Sequence, residues 1–237
     1  MPRPGARQNT ASRIALGQAA APSGGSGCLS GFMLPPLAVL FVGLLLVAFS
    51  GRLSPSTQAA SAESAFAKNA PAKELAPLFT PEVQFWSGRI LAWAAETDLE
   101  PNLVATVMQI ESCGDPRARS RAGALGLFQV MPYHFDGADD PYDPETNARR
   151  GLAYLKRSLE KAVGDSRLAL AGYNGGISVI GRAEFTWAAE TIRYAYWGSG
   201  IYQDALNGAA ESPRLQEWLS AGGASLCTKA RQRLGIP

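Results

Sequence analysis

The chain has 237 residues, enough for one domain of ordinary size with accessory segments. Hydrophobic residues make up 46% and charged residues 18% of it, so it can bury a sizeable core. A net charge of +2 excludes the strongly basic character of most nucleic-acid-binding proteins, and we expect no nucleic-acid partner. Three cysteines without a C-x-x-C pair, with His134 as the single histidine, are too few ligands for structural zinc; we expect no metal or other cofactor.

The N-terminal part of the sequence predicts a membrane anchor. Residues 1–30 are rich in Gly, Ala, Ser and Arg without an apolar period, as in a disordered tail. Residues 31–50 contain an uncharged apolar run about long enough to cross a bilayer. The arginines before this run predict a single-pass signal anchor with a cytoplasmic tail and an extracytoplasmic domain. The alternative is a cleaved signal peptide and a secreted protein. Residues 51–78, rich in Ser, Ala and Pro, predict a flexible linker.

Helical signals follow one another from Thr80 onwards, and strand signals are almost absent. Thr80 and Pro81 predict the start of a first helix, Pro101 the start of a second and Asp143 the start of a third. We therefore predict a mainly α-helical domain, with a small hairpin or irregular segment around 120–141. Further helices are predicted at 165–173, 187–206, 213–220 and 226–234.

Glu111 is a charged residue in an apolar position. It follows Val107 by four residues and Met108 by three, which places its carboxyl group on the apolar face of the second helix. Burial there, and the negative end of the helix dipole, would both raise its pKa, as suits a general acid. The alternatives are a carboxylate that bends out to water or one that pairs with an arginine.

Motifs in a fixed order accompany Glu111. They are Glu111-Ser112, the Gly-Leu-Phe-Gln stretch within Gly123–Pro132, Tyr173-Asn174 followed by two glycines, and Glu190 to Tyr194. This series resembles the SLT family of lytic transglycosylases, relatives of goose-type lysozymes, over roughly residues 95–200. The resemblance implies a lysozyme-like helical domain at 79–207. Residues 208–237 would be a helical extension packed on it.

The resemblance also implies a reaction. Glu111 would be the only catalytic carboxyl group, protonating the glycosidic oxygen between N-acetylmuramic acid and N-acetylglucosamine in peptidoglycan. It would then take the proton from the C6 hydroxyl of the muramic acid, leaving a 1,6-anhydro end. The partner would be the glycan strand, and the protein a monomer. Substrate contacts would come from Ser120, Phe128, Gln129, Met131, Tyr173, Asn174 and Tyr194.

Three other functions stay open at this point. A muramidase on the same fold would hydrolyse the bond instead. A cell-wall cysteine peptidase would use Cys113 with His134. A non-catalytic peptidoglycan-binding module is the third, although the presence of Glu111, Gln129 and Tyr194 argues against it.

Cys113 and Cys227 predict a disulfide if the domain is exported, because such bonds persist outside the cytoplasm. The bond would tie residues 208–237 to the helix that carries Glu111. Two free buried thiols are the alternative.

Overall fold

The computed structural model describes residues 74–237, and the predicted tail, the predicted anchor and most of the predicted linker lie outside them. The described residues are mainly α-helical, which confirms that part of the prediction. Within them, extended pairing is limited to isolated bridges from Leu125 to Arg119 and Val130, in the segment predicted to be a hairpin or irregular. No helix in this part of the chain is both long and apolar enough to cross a membrane.

The described residues contain eight α-helices, joined by turns, short 3₁₀ segments and one π-helical segment at Leu219–Gly223. They are α1 (Pro81–Gln84), α2 (Ser87–Thr97), α3 (Pro101–Glu111), α4 (Pro144–Lys161), α5 (Ser166–Gly175), α6 (Ala189–Leu206), α7 (Pro213–Trp218) and α8 (Ala224–Leu234).

Side-chain caps fix where several helices begin. Glu100 accepts a hydrogen bond from the Leu103 amide at 2.9 Å at the start of α3. Asp143 accepts one from the Thr146 amide at 2.8 Å at the start of α4. Each cap satisfies an amide that lacks a partner inside its helix, and a proline occupies the next position in both helices.

The first predicted helix is wrong in detail because two helices occupy its place. The chain leaves helical geometry at Trp86, whose indole nitrogen donates to the Gly114 carbonyl at 2.9 Å, and α2 begins after it. Thr80 precedes α1 without capping it, and its hydroxyl instead donates to the Gln109 side chain at 3.2 Å. Tertiary hydrogen bonds therefore outweigh the local signals at this end.

The predicted linker also ends too late. Leu75, Ala76 and Leu78 are buried in the main core, and the Ala76 amide donates to the Asn102 side chain at 2.9 Å. These residues are part of the folded unit because apolar side chains and a buried backbone bond anchor them to α3.

Helix α3 is the centre of this core. Every residue from Pro101 to Ile110 is buried, and the helix packs against α1, α2 and α6. Glu111 is the last residue of α3, and its side chain is partly exposed to solvent. Its carboxyl group therefore lies at the edge of the core.

Two links between distant residues hold α8 against α1 and the segment that follows α3. A disulfide joins Cys113 to Cys227, with the two Cα atoms 4.9 Å apart and a separation of 114 positions along the chain. Glu82, fully buried in α1, forms an ion pair at 2.7 Å with Arg231 of α8. The extension is thus fixed to the segment that follows α3.

Candidate active site

Two adjoining cavities lie on either side of Glu111. The first, about 630 Å³, is bordered by residues from the end of α3, from α6 and from the C-terminal segment that includes α8. The second, about 900 Å³, is bordered by the 120–134 segment and by α4 and α5. Because they share lining residues, they form one groove with Glu111 at its middle. The shared residues are Glu111, Ser120, Gln129, Asn174 and Glu190.

The Glu111 carboxyl group is an acid tuned by its surroundings. Burial is the main cause that raises its pKa from 4.5 to about 8. The nearby Tyr194 hydroxyl acts in the opposite direction, and the negative charge of Glu190 adds to the rise. Glu111 is therefore largely protonated at neutral pH and can donate a proton to a bound molecule.

Two tyrosine hydroxyl groups approach Glu111. Burial and the charge of Glu111 raise the pKa of both Tyr194 and Tyr173 well above the usual value, so both are neutral donors. The Tyr173 hydroxyl donates to the Phe128 carbonyl at 2.7 Å. The Tyr194 hydroxyl is buried without a partner of normal hydrogen-bond geometry in the described residues, although it is close enough to affect the pKa of Glu111. Tyr194 can therefore donate either to ionised Glu111 or to a ligand oxygen.

The Gly-Leu-Phe-Gln loop is locked against α3 and α4. The Ser112 hydroxyl donates to the Leu127 carbonyl at 2.7 Å, which gives the serine beside Glu111 a structural role. Asn147 of α4 accepts from the Phe128 amide at 2.8 Å and donates to the Leu125 carbonyl at 2.8 Å. A Cβ atom at Gly126, where φ is +74°, would lie 2.3 Å from the Asn147 amide nitrogen, so only glycine fits.

Gln129 projects from this loop in a constrained conformation. Its φ of +46° lies in the left-handed region, which is uncommon for residues other than glycine. Its amide nitrogen donates to the Gly126 carbonyl at 2.9 Å, which fixes the side chain at the junction of the two cavities. Backbone strain of this kind concentrates at functional sites.

Most of the predicted contact residues reach the groove. Met131 and Tyr173 border the second cavity and Tyr194 borders the first, while three others border both: Ser120, Gln129 and Asn174. The Thr191 hydroxyl donates to the Asn174 side-chain oxygen at 2.9 Å, and no described residue accepts from the Asn174 amide nitrogen.

Phe128 does not line the groove. Its side chain is fully buried and meets Trp93 edge to face, with ring centroids 6.0 Å apart. The side chains of these two adjacent residues point to opposite sides of the loop. Gln129 therefore borders the groove, and Phe128 packs in the core. The predicted substrate contact by Phe128 is wrong, and its role is to hold the loop.

Several groove residues had no predicted role, among them Glu190 and Trp197. Glu190 is exposed in the first turn of α6 and borders both cavities. Trp197, one turn beyond Arg193 on the same helix, is half-buried in the wall of the first cavity. Glu190 belongs to the last sequence motif, which is a signal that it lies near the site. Exposed carboxylates are common, however, so this signal alone does not predict a role for it.

The sulfur chemistry excludes a peptidase based on Cys113. Cys113 is fully buried and bonded to Cys227, so it offers no thiolate, and it borders neither cavity. His134 borders the second cavity, where burial and the charge of Arg157 lower its pKa. Glu82 lies beside the two sulfur atoms, but oxidised sulfurs are not the thiolates that bind metals.

A protonated carboxyl group at the middle of a long groove can donate a proton to the leaving oxygen of a glycosidic bond, the step for which glycan-cleaving enzymes use a carboxylic acid. Residues 89–193 match the family model of the transglycosylase SLT domain. This stretch of the chain is therefore similar to that domain, and it includes Glu111 and most of the groove residues.

Three curated proteins are similar to parts of this chain. A transglycosylase of Enterobacteria phage PRD1 is 40% identical over 114 residues, which cover 47% of this chain and 40% of the phage protein. Membrane-bound lytic murein transglycosylase E of Buchnera aphidicola is 29% identical over 33% of this chain and 41% of its own length. Membrane-bound lytic murein transglycosylase C of Yersinia pestis is 33% identical over 37% of this chain and 30% of its own length. The chain thus spans less than half the length of each relative.

Among solved structures, an inactive mutant of the lytic transglycosylase Slt from Pseudomonas aeruginosa is similar, with 25% sequence identity and a TM-score of 0.43. The match covers 54% of this chain and 25% of that one.

Proposed function

We propose that this protein is a peptidoglycan lytic transglycosylase with a lysozyme-like catalytic domain at residues 79–207. The observation that carries the proposal is Glu111, a carboxyl group with its pKa raised to about 8 at the middle of a groove that continues on both sides. Such a groove suits a polymer cut within its length. The SLT domain and the names of the curated relatives support the same activity.

The chemistry needs one acid that later becomes a base. Protonated Glu111 gives its proton to the glycosidic oxygen while the bond from this oxygen to C1 of N-acetylmuramic acid breaks. The N-acetyl carbonyl of the same sugar stabilises the cationic centre, as in substrate-assisted glycosidases. The C6 hydroxyl oxygen then bonds to C1, its proton returns to Glu111, and no water is consumed.

The residues around Glu111 support these steps. The Tyr194 hydroxyl, which has no regular partner, stabilises Glu111 while it is ionised. Gln129 and the free Asn174 amide nitrogen provide fixed dipoles for sugar oxygens. Ser120, Met131 and Tyr173 complete the contacts along the groove.

We place the domain outside the cytoplasm, where its substrate lies. The disulfide supports this location because oxidising compartments preserve such bonds. Membrane attachment through residues 31–50 is part of the proposal, and two relatives are named as membrane-bound proteins.

The product mass tests the proposed reaction. The full-length protein in detergent, incubated with purified peptidoglycan, is expected to release fragments one water lighter than those that lysozyme produces. Mass spectrometry distinguishes the two products directly. Fragments of full mass would instead identify a muramidase, and the absence of any soluble fragment would contradict the proposal.

The pH dependence of cleavage should follow the pKa of Glu111. Because the reaction starts from the protonated acid, kcat/KM is expected to fall about tenfold per pH unit once the pH exceeds about 8. An ordinary glutamate would lose activity well below neutral pH. The measurement is kcat/KM on soluble glycan strands between pH 5 and 10, and an alkaline limb centred below pH 6 would contradict the raised pKa.

A further inference from the structure

The two halves of the groove differ in charge. Five cationic side chains border the first cavity, against two carboxylates, Asp115 and Glu190, and the largely protonated Glu111. The second cavity has one arginine, Arg121, and is otherwise rich in aromatic and small residues. The cations of the first cavity are Arg117, Arg119, Arg193, Lys229 and Arg233.

Most of these cations have no anionic partner. Arg233 lies 3.6 Å from Asp115, a weak contact for an ion pair. None of the other four forms an ion pair within residues 74–237, although Arg117 lies over the Tyr142 ring. Like charges gathered around one cavity repel each other, and an anion bound among them would relieve that repulsion.

Part of this charge comes from outside the matched domain. Lys229 and Arg233 lie one turn apart on α8, beyond residues 89–193, and therefore share a face. The opposite face is anchored, because Cys227 is in the disulfide and Arg231 pairs with buried Glu82. The extension thus holds two cations at the wall of the groove with little freedom to move away.

We propose that the first cavity binds the peptide stem of the strand being cut, through the carboxylates of that stem. This inference rests on the proposed function. The sugar rings of the strand carry no charge, so its anionic groups are the stem carboxylates. The stem is attached to the same N-acetylmuramic acid whose C1 lies at Glu111 in the proposed reaction, which brings it beside the groove centre. The α8 cations make the extension a specificity element for strands that carry stems.

The test compares stem-bearing strands with strands from which an amidase has removed the stems, after the lactyl carboxylate that this exposes on each N-acetylmuramic acid has been converted to an amide. The full-length protein is expected to cut stem-bearing strands with the higher kcat/KM at low salt. The Lys229→Gln/Arg233→Gln variant should reduce the ratio of the two kcat/KM values about three- to tenfold, as the loss of two partly exposed ion pairs implies. Lys161→Gln/Arg182→Gln, with the same charge change at exposed positions away from the groove, should leave the ratio unchanged.

Equal kcat/KM values for the two substrates in the unmodified protein, or an unchanged ratio in the α8 variant, would overturn the inference. A second arm does not depend on turnover. Binding of the free stem tripeptide L-alanyl-γ-D-glutamyl-diaminopimelate to Glu111→Gln protein should weaken at high salt and in the α8 variant. Tripeptide binding without cleavage of either strand would overturn the proposed function alone, and no tripeptide binding with normal cleavage would overturn the inference alone.

Discussion

Replacement of Glu111 by glutamine is expected to lower strand cleavage by at least about 10²–10⁴-fold, the usual contribution of a positioned acid and base. Glutamine keeps the shape of the side chain at the end of α3 but can neither give up nor recover a proton at the glycosidic bond. The measurement is the rate of release of soluble fragments at pH 6. Glu211→Gln, a matched change at an exposed carboxyl group outside the groove, should retain the full rate.

The same variant should be more stable than the unmodified protein at alkaline pH. The pKa of Glu111 is raised in the folded state, so the folded state holds this proton more tightly than the unfolded state does. The stability contributed by that proton is complete below pH 4.5 and is lost as the pH rises to about 8. Glutamine is neutral throughout, so the gain in free energy of unfolding should grow over this window to on the order of a few kcal/mol.

Denaturant unfolding of both proteins at pH 4.5 and pH 9, followed by near-UV circular dichroism, checks this second expectation. A stability difference that stays constant with pH would mean that Glu111 is hydrated in the folded state. Loss of activity together with a gain in alkaline stability would show that Glu111 is needed for catalysis and lowers the stability of the folded protein.

Glu111 could be predicted because its signal is local. Helical periodicity places it on the apolar side of α3, and the same periodicity places Val107 and Met108 in the core, where both are fully buried. The starts of α3 and α4 were also predictable, since Pro101 and Asp143 are local signals of a helix start.

Other features depend on contacts that no sequence window contains. Leu75 and Leu78 stand in a stretch with the composition of a linker, yet they are buried with the core. Phe128 and Gln129 are adjacent in one motif, but the Asn147 and Tyr173 contacts turn the first inward and leave the second in the groove. Lys229 reaches the groove only because the chain folds back over a separation of more than a hundred residues.

Removal of the disulfide should have the largest effect on stability. In the loop-entropy account, a bond that closes a loop of about 100 residues stabilises a protein by about 4–5 kcal/mol, and here the two cysteines lie 114 positions apart. The Cys113→Ala/Cys227→Ala variant is expected to lose about that amount, measured by denaturant unfolding without reductant. Cys28→Ser is the matched control because Cys28 takes no part in this bond, and it should leave the unfolding midpoint unchanged.

The position of the bond gives this loss a functional consequence. Cys113 follows Glu111 by two residues, and Gln109 of α3 donates to the Cys113 sulfur at 3.1 Å, so the bond holds α8 directly against the catalytic end of that helix. Without it, the Glu82–Arg231 ion pair would be left to hold Lys229 and Arg233 at the groove. The preference for stem-bearing strands should therefore fall before cleavage itself is lost. Unchanged stability and an unchanged preference in the double variant would contradict this role of the disulfide. They would mean that packing of α8 alone is sufficient to hold it at the groove.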